Sequence, residues 1–93
     1  MTSIVAKVKI LPTDATIKSK KIVESIKVNL PEQIKIINVT EEPIAFGLEA
    51  SIIDFKLEDK DGAIDDLEKI IRSSKNISQV DFLGISRMSA TLK

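Results

Sequence analysis

Glu41-Glu42-Pro43-Ile44-Ala45-Phe46-Gly47-Leu48-Glu49-Ala50 is the stretch on which the fold turns. Pro and Gly punctuate it, so its start belongs in a loop rather than deep in a strand. Strand-like sequence stands on both sides. Ile34 and Ile36, with Val39 at the margin, mark a strand before it, and a longer apolar segment from about Gly47 to Leu57 follows. Two strands therefore succeed one another here with no helix between them, whereas elsewhere strand and helix alternate. The run also sets an aromatic in a connection, and connections are normally polar because they cross the surface. Such a residue is either folded back onto the core or offered to a partner. Residue type alone favours the core for Phe46; its place beside Pro43 and Gly47 argues the other way.

Working outward, Ile4, Ala6, Val8 and Ile10 alternate with Val5, Lys7 and Lys9, the pattern of a half-buried strand stopped by Pro12. Ile22, Val23, Ile26 and Leu30 fall at helical spacing between lysines, predicting a helix from about Ile17 to Asn29. Thr16 or Thr13 stands where its cap belongs, and Pro31 follows its end. In the third strand the parity is ambiguous: Leu48, Ala50 and Ile52 define one face, then Ile53, Phe55 and Leu57 the other. Either a bulge shifts the register or both faces are partly covered. Asp59-Lys60-Asp61-Gly62 is a polar loop. Ile64, Leu67 and Ile71, widened by Ile70, form the stripe of a second helix. Val80, Phe82 and Gly84 or Ile85 give a fourth strand. Residues 1–88 read as one domain, and Ser89 to Lys93, which show no pattern, are expected to fray.

The order βαββαβ predicts an α+β, two-layer ferredoxin-like sandwich, a four-stranded antiparallel sheet with both helices on one face. Right-handed crossovers give the strand order 4-1-3-2. The loop holding Phe46 and the end of the fourth strand holding Arg87 then lie at opposite ends of the sheet. Strands of about six residues would separate them by roughly 20 Å.

Composition narrows the chemistry. The 93 residues carry 14 basic and 14 acidic side chains, so no bulk positive charge is available to hold a phosphate backbone. Cysteine and histidine are absent, which removes disulfides, a thiol nucleophile and the commonest metal ligand and general base. No apolar run approaches the ~20 residues of a spanning helix, and the N-terminus does not read as a signal peptide, so the expectation is a cytoplasmic chain with no membrane partner. Asp59, Asp61, Gly62, Ile64 and Glu68 fit part of an EF-hand spacing. Leu57 stands at its first ligand position and cannot bind calcium, so no metal is expected. No cofactor is expected either, since no Gly-rich phosphate loop is present. With aromatics at 3% of the chain, an open sheet face for stacking RNA bases is not on offer, and no direct nucleic-acid contact is expected.

The string Glu42-Pro43-Ile44-Ala45-Phe46-Gly47-Leu48, the first strand and the ending Gly84-Ile85-Ser86-Arg87-Met88 resemble the archaeal translation elongation factor 1-beta family and the C-terminal catalytic domain of the eukaryotic factor. The resemblance covers nearly the whole chain. It implies a guanine-nucleotide exchange factor, not an enzyme making covalent bonds, that promotes GDP release and GTP loading on the GTPase elongation factor 1-alpha, met both GDP-bound and nucleotide-free. It implies that Phe46, with Pro43, Ile44, Gly47 and Met88, touches the partner, the phenylalanine entering a pocket outside the nucleotide domain. It also implies that Arg87 stands where a penultimate lysine of the eukaryotic domain reaches into the GTPase's magnesium site. Two differences are visible: the cation is Arg rather than Lys, and six residues follow it. The alternative is a ferredoxin-like regulatory module that binds a small molecule and pairs through its sheet. A small phosphatase of this fold would need an arginine in the loop Leu11-Pro12-Thr13-Asp14, which has none.

Overall fold

The computed structural model describes residues 3–88. Its elements run β1 (Ser3–Pro12), α1 (Ser19–Lys27), β2 (Lys35–Pro43), a 3-10 turn (Ala45–Gly47), β3 (Glu49–Glu58), α2 (Ala63–Arg72) and β4 (Ile77–Met88). The sheet order is β2-β3-β1-β4 with every neighbouring pair antiparallel. This is the ferredoxin-like order expected from the alternation of strand and helix. The expected tail, Ser89 to Lys93, lies outside the described residues.

Alternation along the strands builds the core. Ile4, Ala6, Val8 and Ile10 of β1 and Ile53, Phe55 and Leu57 of β3 are buried in one cluster with Ile22 and Ile26 of α1 and Leu67 and Ile71 of α2. Both helices therefore cover the same sheet face. Each fully buried side chain of this size contributes about 1.5–3 kcal/mol of transfer free energy. The other face is mixed and carries ion pairs across strands: Lys7 Nζ lies 3.6 Å from Asp54 Oδ1, and Lys9 Nζ 3.3 Å from Glu42 Oε1.

The parity question in the third strand resolves in favour of cover on both faces. β3 pairs with β1 in unbroken register from Ser3↔Glu58 to Ile10↔Ser51. Ser51, Ile53, Phe55 and Leu57 face the helices, while Ala50 is buried and Ile52 half-buried on the open side. The bulge sits instead in β2, at Ile37 between the pairs Ile36↔Phe55 and Asn38↔Asp54. It leaves Ile37 exposed and turns Val39 back toward Ile53 on the helix side.

Three boundaries differ from the sequence expectation. α1 is shorter at both ends, and neither Thr16 nor Thr13 caps it; Lys18 is the N-cap, with no side-chain cap bond. Thr16 is engaged elsewhere, its N–H and hydroxyl both donating to Asp14. Glu41, Glu42 and Pro43 are strand rather than loop, the last three residues of β2, paired with Ser51, Ala50 and Glu49. The strands are also longer than six residues. β3 alone has ten, which at ~3.3 Å per residue spans about 30 Å rather than 20.

Candidate functional site

The two ends of the sheet carry different side chains. At one end β2 and β3 are joined by Ile44 to Leu48 alone. The Ile44 N–H donates to the Leu48 carbonyl at 2.8 Å, and the Leu48 N–H to the Ala45 carbonyl at 3.3 Å. The chain reverses inside this small ring through two consecutive left-handed residues, Phe46 (φ 63°) and Gly47 (φ 78°). Glycine adopts that conformation freely, whereas a residue with a Cβ gives up about 1–2 kcal/mol there. Phe46 nonetheless occupies the tip, and it is 94% exposed. It does not fold back onto the core. Pro43, Ile44 and Gly47 are exposed around it.

Neighbouring segments brace the turn. A Cβ built on Gly47 would meet the Ala15 Cβ at 3.7 Å, an ordinary contact, so the turn rests on the loop between β1 and α1. That loop is held by Asp14, which accepts from the Thr16 N–H at 2.8 Å, and by the Thr13 N–H, which donates to the Asn76 carbonyl at 3.0 Å. The Thr16 hydroxyl and N–H hold the Asp14 carboxyl below its ordinary 3.8. Ser19, the buried first residue of α1, donates its hydroxyl to the Glu41 carboxylate near the end of β2. The Ser19–Glu41 and Thr13–Asn76 contacts join residues far apart in the chain, so this part of the bracing leaves no local signal in the sequence.

The opposite end carries Arg87. It lies on β4, opposite Ile4 of β1, and Ile4 is flanked on its other side by Leu57 of β3. Its guanidinium does not stand alone: Nη2 lies 2.9 Å from Asp59 Oδ2. Asp59 is the first residue beyond β3. Its pairing was legible in principle, since the order 4-1-3-2 sets the ends of strands 3 and 4 on either side of the start of strand 1. Met88 ends β4, opposite Ser3. The other acids of the partial EF-hand spacing are dispersed. Leu57 is buried in the core, Glu68 accepts from Arg72 Nε at 2.8 Å, and no group of three acids converges among the described residues. Phe46 and Arg87 are thus not brought together; the length of β3 separates them.

A groove of about 350 Å³ lies between α2, the segment after α1 and the end of β3, lined by Ile34, Leu57, Ala63 and Ile70 with Glu58 and Lys60 at its rim. It includes neither Phe46 nor Arg87.

A solvent-facing aromatic on a braced turn at one sheet end and a cation at the other is the pattern to compare with known proteins. The model of the EF-1 guanine nucleotide exchange domain matches residues 5–88, from the first strand through the Phe46 turn to the end of β4. The chain belongs to the EF-1 guanine nucleotide exchange domain family. Proteins similar to it include the Elongation factor 1-beta of Thermofilum pendens, 37% identical over 96% of this chain and 99% of that one. Those of Methanococcus maripaludis and Aeropyrum pernix are each 33% identical, over 92% and 95% of this chain and 98% and 99% of theirs. The family of translation elongation exchange factors expected from the Glu42–Leu48 string is therefore the one found. No helix among the described residues is long and apolar enough to cross a membrane.

Proposed function

We propose that this chain is the guanine-nucleotide exchange factor of elongation factor 1-alpha, speeding GDP release and so permitting GTP loading. The observation that carries the reading is Phe46. A phenylalanine held in left-handed backbone and 94% exposed costs the free fold energy and returns nothing to its core. Its use is to be buried by something else. A large side chain on a hydrogen-bonded turn loses little conformational entropy on docking, which suits an anchor. Pro43, Ile44 and Gly47 shape the rim of that contact, and Met88 belongs to the contact made by the far end of the sheet.

Exchange needs no covalent chemistry from this chain. It needs tighter binding to the nucleotide-free GTPase than to the GDP-bound form, because a partner shifts an equilibrium only by its differential affinity. By linkage, incoming GTP then weakens the hold of the factor. Bound GDP is retained partly through Mg²⁺ on its phosphates. Arg87, about 30 Å from Phe46 by the length of β3, is the cation we assign to that metal site. The two ends of the sheet therefore engage different parts of the GTPase. On this reading the chain works in the cytoplasm, and meets neither nucleic acid nor membrane directly.

The small-molecule module finds less support. Pairing through the sheet would bury the Lys7–Asp54 and Lys9–Glu42 ion pairs, and burying charges is costly unless they are fully satisfied. The test is release of labelled GDP from elongation factor 1-alpha with and without the chain; unchanged release refutes the proposal.

A further inference from the structure

Arg87 has a partner within its own chain, and the geometry points to a role for it. We propose that Asp59 is a positioning residue for Arg87, holding the guanidinium in one orientation at the tip of the sheet so that it meets the nucleotide site already ordered. The inference rests on the exchange reading and deepens it.

Three features of the structure carry it. First, β4 is an edge strand with β1 as its one sheet neighbour, so Arg87 is a long side chain near the end of a strand supported on one side only. Its side chain is 71% exposed, and without a tether its rotamers are free. Second, Asp59 is a firm post. It follows directly on Leu57 and Glu58, and the turn after it is closed by the Lys60 N–H on the Glu58 carbonyl and the Ala63 N–H on the Lys60 carbonyl, both at 3.1 Å. Its own side chain is 30% exposed, less than half as open as its partner's. Third, the contact runs from Nη2 to one carboxylate oxygen. A guanidinium carries further donors, on Nη1 and Nε, that can meet a second acceptor while the first bond stands. An ammonium is a point charge and offers no such division between a tether and a working edge. The ion pair thus gives a reason for arginine at this position: one edge is anchored and the other presented.

The pair joins two elements that do not adjoin in the sheet, reaching from β4 across the start of β1 to the end of β3. The Lys60–Glu58 and Arg72–Glu68 pairs, by contrast, are local in the chain. An exposed pair adds little to stability, so the value of this one lies in orientation.

The test is a double-substitution cycle on GDP release from elongation factor 1-alpha, using the whole chain. Asp59→Ala should lower the maximal release rate roughly two- to fivefold, the range of an exposed ion pair, with half-saturation unchanged. The same substitution should have no effect once Arg87 is alanine. Asp59→Asn, which keeps the shape and an acceptor, should fall between. In the free chain, the Arg87 Nε–H order parameter from ¹⁵N relaxation should drop in Asp59→Ala. A maximal rate unchanged or raised by Asp59→Ala overturns the proposal, and so does an equal loss in the Arg87→Ala background or an unchanged order parameter. If the wild-type chain itself fails to speed release, the exchange reading falls and takes this proposal with it. If the wild type speeds release and is indifferent to Asp59, this proposal alone falls.

Discussion

Replacing Phe46 by alanine separates docking from folding. The residue is 94% exposed in the free chain, so nearly all of its ring area is available to a partner. A phenylalanine buries at least ~150 Å² on contact, and at about 25 cal/mol per Å² that amounts to about 4 kcal/mol before ordering costs. Alanine retains a fraction of this area, and losses of about 2–4 kcal/mol are typical of an interface anchor. The expected weakening of affinity for nucleotide-free elongation factor 1-alpha is therefore roughly 30- to 1,000-fold. The free fold should barely respond, since Phe46 makes no core contact and alanine meets the same left-handed backbone. Phe46→Gly sharpens the comparison. It should weaken docking as much, yet leave stability equal or higher by up to about 1 kcal/mol, because glycine removes the left-handed penalty at some cost in unfolded-state entropy. Affinity is read by titration calorimetry and stability by urea denaturation of the chain alone. A large drop in unfolding free energy with docking unchanged would show that the ring serves the fold, and would refute the reasoning.

Arg87→Ala should cut the maximal GDP-release rate by tenfold or more, about 1.4 kcal/mol of barrier, with a smaller change in half-saturation. Arg87→Lys should keep substantial activity, raised free Mg²⁺ should inhibit the wild type, and truncation after Met88 should be tolerated; full activity in Arg87→Ala removes this residue from the mechanism. At low pH a small effect belongs to Asp14. Its carboxyl is held below 3.8 in the fold, so its contribution is present above that value and lost as the pH falls through the lowered one. Asp14→Ala should slightly lower the urea midpoint at neutral pH and converge on the wild type as the pH falls below about 4, flattening the acid limb; an undiminished acid limb would assign that dependence to other carboxylates.

The order of elements and the core were legible because they rest on periodicity. Ile4, Ala6, Val8 and Ile10 announce an inward face at every second residue, and Leu67 and Ile71 a helical stripe, and these side chains are the buried ones. What escaped was whatever a single inserted or diverted residue controls. The bulge at Ile37 leaves the alternation of β2 broken by one position, and a second, at Leu83 between the pairs Lys7↔Gly84 and Val8↔Phe82, does the same in β4. An isoleucine in a bulge reads like an isoleucine in a strand. Thr16 looks like a helix cap until Asp14, two residues earlier, takes both of its donors. The position of Phe46 at the turn's tip was foreshadowed by Pro43 and Gly47, but not its own left-handed backbone, which residue type argues against. The Asp59–Arg87 pair required the sheet order and the ends of two strands together.

The most direct measurement is the rate of release of fluorescent GDP from elongation factor 1-alpha at rising concentrations of this chain, with Phe46→Ala alongside. The account predicts a saturable acceleration by the wild type, and a curve for Phe46→Ala displaced to at least roughly 30-fold higher concentration, as an anchor loss of about 2 kcal/mol requires. Release that is unaffected by the wild-type chain, or equally accelerated by both chains at the same concentration, would contradict it.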